Sequence, residues 1–192
     1  MNKDNGLLVV LSSPSGGGKT TVIHKIIERS NGEYFYSISM TTRPKREGEV
    51  NGKDYWFVSE DEFLELIARD GFIEYESVHD WYYGTPKGAI ENWLCQGKIV
   101  FLDLDVIGAL NLKKQYSGKT LLIFLKPPSE KVLLDRLKKR STETSQQIAK
   151  RLERVTEEMN RAPEFDVVLV NENLEKTIQS VIEIIKEKRK IC

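Results

Sequence analysis

The sequence predicts an α/β fold in which a parallel sheet is flanked by helices, and three observations lead there. Four continuous apolar, β-rich runs (Leu7 to Leu11, Ile99 to Asp105, Thr120 to Leu125 and Val167 to Val170) read as strands buried on both faces. Amphipathic segments with legible ends stand between them, the alternation expected of parallel strands joined by helices. A glycine-rich stretch follows directly on the first run, where such a sheet presents its ligand crevice.

The elements follow in order. LLVVL is the first strand, and TTVIHKIIER after it carries Val22, Ile23, Ile26 and Ile27 at helical spacing. Residues 34 to 85 break the alternation with aromatic, strand-like pieces (YFYSISM, DYWFV, FIEYE) and predict a small inserted β-containing subdomain. Within it Ser59 and Glu62 form a capping box ahead of Phe63, Leu66 and Ile67, with Gly71 closing the helix. Thr85-Pro86 reads as N-cap and N1 of a helix bearing Ile90, Trp93 and Leu94, with Gly97 past its end. After the strand ending in Asp103 and Asp105 comes TLLIFL, stopped by Pro127-Pro128. Lys138 to Ser145 is polar and aperiodic, resembling a flap. Thr144 and Gln147 could cap a helix carrying Ile148, Leu152, Val155 and Met159. The last helix carries Leu174, Ile178, Val181, Ile182 and Ile185.

Composition excludes several classes. The 192 residues suit one compact domain with movable parts. Lys+Arg and Asp+Glu are both 29, so the net charge is zero and a general nucleic-acid or membrane footprint is not supported. Cys95 and Cys192 lack metal-ligand spacing and suit a reducing compartment. The polar MNKDNG start and the shortness of the following apolar run predict neither a signal segment nor a membrane span, hence a cytoplasmic protein.

SSPSGGGKTT (Ser12 to Thr21) has the arrangement of a phosphate-binding loop: strand, glycine turn, Lys-Thr, helix. Glycines let successive backbone N–H groups converge on an anion, and the helix N-terminus adds unpaired donors and partial positive charge. Lys19 can reach the β- and γ-phosphates, and the Thr20 hydroxyl can ligate Mg2+. The strict pattern G-x-x-x-x-G-K-[ST] has its first glycine replaced by Ser13, while Gly18-Lys19-Thr20 is intact. Such a loop specifies a nucleotide, not a reaction.

Five stretches carry a resemblance to the guanylate kinase family: SPSGGGKTT, SMTTRPKREGEVNGKDYWFV, FIEYESVHDWYYGTP, FLDLD and RSTETSQQIAKRL. They fall in the family's order between about Leu7 and Lys186, and the second is the most specific. The resemblance implies a single domain with a P-loop kinase core (about 1–35, 91–127 and 159–192), a GMP-binding subdomain at about 36–90 and a helical lid at about 128–158. It implies transfer of the ATP γ-phosphoryl group to GMP, and to dGMP, with ATP as co-substrate and Mg2+ as cofactor. Two rivals are a non-catalytic phosphopeptide-binding module of the same fold and a kinase for another nucleoside monophosphate. The intact Gly18-Lys19-Thr20 and the lid arginines speak against the first. No nucleic-acid or membrane partner is implied, and self-association stays open.

Residue by residue, the resemblance places Ser15, Gly16, Gly17, Gly18, Lys19, Thr20, Thr21, Arg136, Asn171 and Glu172 on ATP, the last two at the adenine. It places Ser39, Arg43, Arg46, Tyr55, Glu74, Tyr83, Thr85 and Asp105 on GMP, and Thr20 with Asp103 on the metal, Asp103 through water. Lys19, Arg46, Arg140 and Arg151 would stabilise the transferring phosphoryl group. Physical sense accompanies each assignment. Arg43 and Arg46 present guanidinium forks suited to a dianionic phosphate, although RPKRE also reads as a solvated basic loop. A carboxylate at Glu74 matches the two donors on the guanine edge, and the Thr85 hydroxyl its O6, although Glu74 could face water and Thr85 could cap a helix. Arg136 and Arg154 also suit helix-surface pairing, and Glu172-Asn173 a turn into the last helix. Ile107 stands where the family often has glutamine, and His24 and His79 have no assigned role.

Overall fold

The computed structural model describes residues 6–14, 16–78, 80–129, 132–133 and 155–191. Five strands form the main sheet: β1 (Leu7–Ser12), β2 (Tyr34–Tyr36), β7 (Ile99–Asp103), β8 (Thr120–Lys126) and β9 (Val167–Val170). Their order is β2-β7-β1-β8-β9 and every pairing is parallel. β1 shows why its run has no polar alternation. Leu7, Val9 and Leu11 face one side of the sheet with Val22, Ile23 and Ile26 of α1 (Lys19–Arg29) and Ile178, Val181 and Ile185 of the last helix, α5 (Leu174–Ile191). Leu8 and Val10 face the other, with Ile90 and Leu94 of α3 (Lys87–Cys95) and Ala109 and Leu112 of α4 (Val106–Gln115). Burying both faces makes a continuous apolar run the only stable sequence here.

A second sheet, ordered β4-β3-β6-β5, is built from β3 (Met40–Thr41), β4 (Trp56–Phe57), β5 (Phe72–Val78) and β6 (Trp81–Pro86). α2 (Glu60–Ala68) covers it through Phe63, whose ring stacks on Phe72 at 4.3 Å and on Tyr82 at 5.4 Å. The expected capping box is present: the Ser59 hydroxyl accepts from the Glu62 N–H and the Glu62 carboxylate accepts from the Ser59 N–H.

Four details differ from the sequence expectations. Tyr34–Tyr36 is an edge strand of the main sheet, paired with β7, so the inserted unit starts after it. α4 has no counterpart among the expected helices; Asp105 caps it, its Oδ1 accepting from the Gly108 N–H at 2.8 Å. Asp70, at φ 53°, takes the left-handed conformation after α2, while Gly71 closes the turn by donating its N–H to Leu66 O. Thr85 lies inside β6 and does not cap α3, whose N-cap is Pro86 without a side-chain bond.

The flap at 138–145, the cap at Thr144 and Gln147, and most of the expected lid lie outside the described residues. Leu133 and Val155, at its two ends, pack together with Met159. Cys95 is an exposed free thiol. Among the described residues no helix is long and apolar enough to cross a membrane.

Candidate active site

The loop after β1 is held by its own backbone and by one lysine. The Gly17 N–H donates to Pro14 O at 2.8 Å, and Gly16 and Gly18 adopt φ of 85° and 94°, which a side chain would oppose. A Cβ on Gly17 would lie 2.3 Å from Ser13 Oγ, so the position admits no other residue without rearrangement. Lys19 Nζ donates to Ser13 O at 3.1 Å and lies 3.5 Å from Asp103 Oδ1. The departure from the strict motif at Ser13 therefore leaves the lysine wrapped around the loop. α1 begins with Gly18 as N-cap, without a side-chain cap and without an acidic residue in its first turn, so its end stays electropositive toward the cleft. Thr20 Oγ1 donates to Asp103 Oδ2 at 2.6 Å. Thr21 is exposed beside it, and Ser15 lies outside the described residues.

A cleft of about 600 Å3 opens over this loop and reaches Tyr36 of β2 and, on the side of the small sheet, Ser39, Glu49 and Tyr55. A smaller cavity of about 230 Å3 continues from it, lined by Glu74, Glu76, Tyr83 and Asp105. The two share Ser39, Tyr55 and Asp103, so they adjoin edge to edge.

Arg43 is buried beside Glu49 and Tyr55, which line the cleft. Its Nη1 donates to Pro44 O at 2.7 Å and to Glu49 Oε2 at 3.1 Å, and its Nη2 donates to Glu49 Oε1 at 2.8 Å. Its guanidinium also packs on the rings of Tyr55 (5.5 Å) and Phe57 (5.6 Å). Pro44 O and Glu49 take three of its five N–H donors, and the Tyr83 hydroxyl is within bonding reach of the same guanidinium. Glu49 Oε2 also accepts from the Arg46 N–H at 2.7 Å, while the Arg46 side chain is exposed. The Arg43 fork holds the Glu49 carboxyl below its usual range. Glu49 was not among the expected site residues; an acid within six residues of two arginines, in RPKREGE, was the available signal. Tyr83 stands edge-on to Tyr55, ring centroids 6.1 Å apart.

Glu74 and Thr85 face each other across the β5–β6 ladder, and Thr85 Oγ1 donates to Glu74 Oε1 at 2.5 Å. Burial pushes the Glu74 carboxyl up to about 7; the Thr85 bond lowers it in part, and the charges of Glu76 and Asp105 raise it. The α4 N-terminus closes the group: a Cβ on Gly108 would lie 3.2 Å from Asp105 Oδ1 and 3.4 Å from Glu74 Oε2. Glu74 thus faces the cavity rather than bulk water, and the Thr85 hydroxyl serves Glu74 rather than a helix end.

Asn171 departs from its expected place. Its side chain is buried and bonded to Gly17 and Thr177, not turned into the cleft, whereas Glu172 is exposed. Asn173 caps the following helix, its Oδ1 accepting from the Lys176 N–H. His24 lines the cleft and packs its ring edge on Tyr36 at 5.4 Å. Ile107 is exposed. Arg136, Arg140, Arg151, Arg154 and His79 lie outside the described residues.

A parallel sheet whose first strand runs through a glycine loop into an uncapped helix, with Lys, Thr and a strand-end Asp converging there, defines a phosphate-binding-loop nucleotide enzyme. A family model described as guanylate kinase matches residues 5–188. Guanylate kinase of Onion yellows phytoplasma is 45% identical over 186 residues, covering 97% of this chain and 87% of that protein. That of Thermotoga maritima is 44% identical over 184 residues, covering 96% and 88%. The crystal structure of guanylate kinase from Anaplasma phagocytophilum superposes with a TM-score of 0.78 at 31% identity, covering 97% of this chain and 87% of that one. A gluconokinase from Sinorhizobium meliloti, at TM-score 0.52 and 16% identity, shares the fold alone. The chain belongs to the guanylate kinase family.

Proposed function

We propose that this chain works as an ATP-dependent GMP kinase whose donor site is the glycine loop and whose acceptor site is the cavity around Glu74. The observation that carries this is the shared wall: Ser39, Tyr55 and Asp103 line both spaces, so two nucleotides bound there meet at their phosphates. Gly16, Gly17, Gly18 and the α1 N-terminus cradle the ATP phosphates, and Lys19 moves its ammonium from Ser13 O to the transferring group.

Guanine enters against Glu74, whose carboxylate accepts from N1–H and the N2 amino group. Adenine lacks that donor pair and would leave a buried carboxylate unpaired, which rejects it by roughly 10⁴. Ser39 lines the rest of the base site, Thr85 orients Glu74 through its hydroxyl, and Asp105 anchors α4 beside it. The GMP phosphate meets the Arg43 guanidinium, which Glu49 orients, with Tyr55, Tyr83 and the exposed Arg46 around it. This assigns the GMP site to the region about 36–90, the core to about 1–35, 91–127 and 159–192, and the lid, with Arg136, Arg140 and Arg151, to about 128–158.

The oxygen-only pair Thr20 and Asp103 suits a hard divalent cation, and these two residues would hold Mg2+, Asp103 through water. The ion would neutralise charge on the ATP phosphates. The acceptor oxygen is already anionic, so no general base is required; placement of the two polyanions and offset of their repulsion supply the catalysis. Transfer is in line: the bond from the γ-phosphorus to the β–γ bridging oxygen breaks, the GMP phosphate oxygen bonds to that phosphorus, and ADP leaves with the electron pair.

A coupled assay of ADP release over a panel of monophosphates tests the reading. GMP and dGMP are expected to support turnover far above AMP, UMP and dTMP. Equal rates across the panel, or release independent of any acceptor, would overturn it.

A further inference from the structure

We infer that Asn171 is a positioning residue that sets the conformation of the phosphate-binding loop from behind, with Thr177 setting Asn171 in turn. This rests on the loop being the ATP site.

The bonds form a chain from one end of the sequence to the other. Asn171 leaves β9 with its backbone N–H donating to Lys126 O at 2.8 Å, which fastens it to the end of β8. Its side chain is only 6% exposed, and Nδ2 donates to Gly17 O at 2.8 Å. Oδ1 accepts from Thr177 Oγ1 at 3.0 Å, and Thr177, in the first turn of α5, is buried as well. A carbonyl can only accept, so the amide must turn its NH2 to Gly17; its oxygen then faces a hydroxyl able to donate. The orientation of the amide follows from the partners on both sides.

Geometry converts this bond into an arrangement of the cradle. Among the described residues no peptide bond is cis, so the Gly17 C=O and the Gly18 N–H point in opposite directions across one rigid plane. Holding the Gly17 oxygen back toward Asn171 aims the Gly18 N–H to the opposite side, the side of the cleft that Gly17, Gly18 and Lys19 line. Gly18 is the residue at φ 94° that opens α1, and a Cβ there would lie 2.8 Å from Asn171 Nδ2. Without the amide, the Gly17–Gly18 peptide loses this side-chain restraint and can rotate its N–H away from a phosphate.

Mg·ADP binding to the full-length chain by calorimetry, without GMP, reads the donor site directly; KM values for ATP and GMP come from the coupled assay. Asn171→Asp keeps the shape but sets a carboxylate against the Gly17 carbonyl. It should weaken ADP binding and raise the ATP KM by about tenfold or more, leaving the GMP KM unchanged. Thr177→Val, which removes the hydroxyl, should raise the ATP KM several-fold, and Thr177→Ser should restore it. A folded Asn171→Asp protein binding ADP like the parent, or ATP and GMP KM values rising together, would overturn the inference. Should that variant fail to fold, the threonine pair decides, and indistinguishable Val and Ser proteins would overturn it too. A parent chain that binds no Mg·ADP would instead sink the reading of the loop itself.

Discussion

Glu74 holds its carboxyl between two demands. Burial favours the neutral form and raises it to about 7, whereas guanine needs the carboxylate, since a protonated group can accept from only one of the two base donors. The GMP KM should therefore fall as pH rises from about 6 to about 8 while the ATP KM stays level, and steady-state profiles for each substrate check this. Stability runs the other way. The folded-state value lies above the ordinary 4.5, so the stability this group contributes is present below that value and is lost as pH rises through about 7. Urea midpoints of the nucleotide-free chain should drop across that window, and Glu74→Gln should flatten the drop while raising the GMP KM far more than the ATP KM. Lys19 bridges Ser13 O and Asp103 at the mouth of the loop. Lys19→Met should lower kcat on the order of a hundredfold or more with unfolding little changed, measured by ADP release beside a thermal melt.

α2 shows how far local chemistry reaches into tertiary structure. Its capping box satisfies two end groups, its first turn is acidic, and the single buried residue Phe63 ties it to Phe72 and Tyr82. Ser59→Ala should cost about 1 kcal/mol in urea denaturation without moving either KM, since no atom of Ser59 faces the cleft. That helix was legible because its start signal, apolar spacing and stop are all in sequence. α4 was not. It carries Gly108 and Asn111, and its cap, Asp105, also reads as a ligand-facing strand end. β2 was assigned to the wrong sheet because three residues, YFY, carry no register information, and the partner strand β7 lies more than sixty residues on. Thr85 misled for a related reason: Thr-Pro before a helix is a cap signal locally, but the cross-strand carboxylate of Glu74 captures the hydroxyl.

For the whole molecule, the placement of the site follows from sheet order. β1 lies at the centre of the sheet with β7 and β8 on its flanks, so the loop after β1 and the aspartate ending β7 emerge side by side. That much was readable from two apolar runs ending in glycines and in aspartates. The contact between the two sheets was not, because residues such as Glu49, Ser39 and Tyr36 meet the loop only through the tertiary arrangement. Since the two cavities share a wall, binding on either side is expected to stabilise the entire chain. Mg·ADP at about a hundredfold over its Kd should add about 2.7 kcal/mol, which for a chain of this size is a Tm rise of roughly 5 to 10 °C in a melt. A shift in a fragment of the unfolding curve, with the remainder unmoved, would show instead that the sheets melt separately.

The bond from Asn171 to Gly17 spans 154 positions of the chain. The ribosome delivers the glycines 154 residues ahead of the asparagine, so a nascent chain carries an unfinished cradle while that whole stretch is made. Full affinity for a nucleotide then waits until β9 and the first turn of α5 emerge and fasten a loop made long before them.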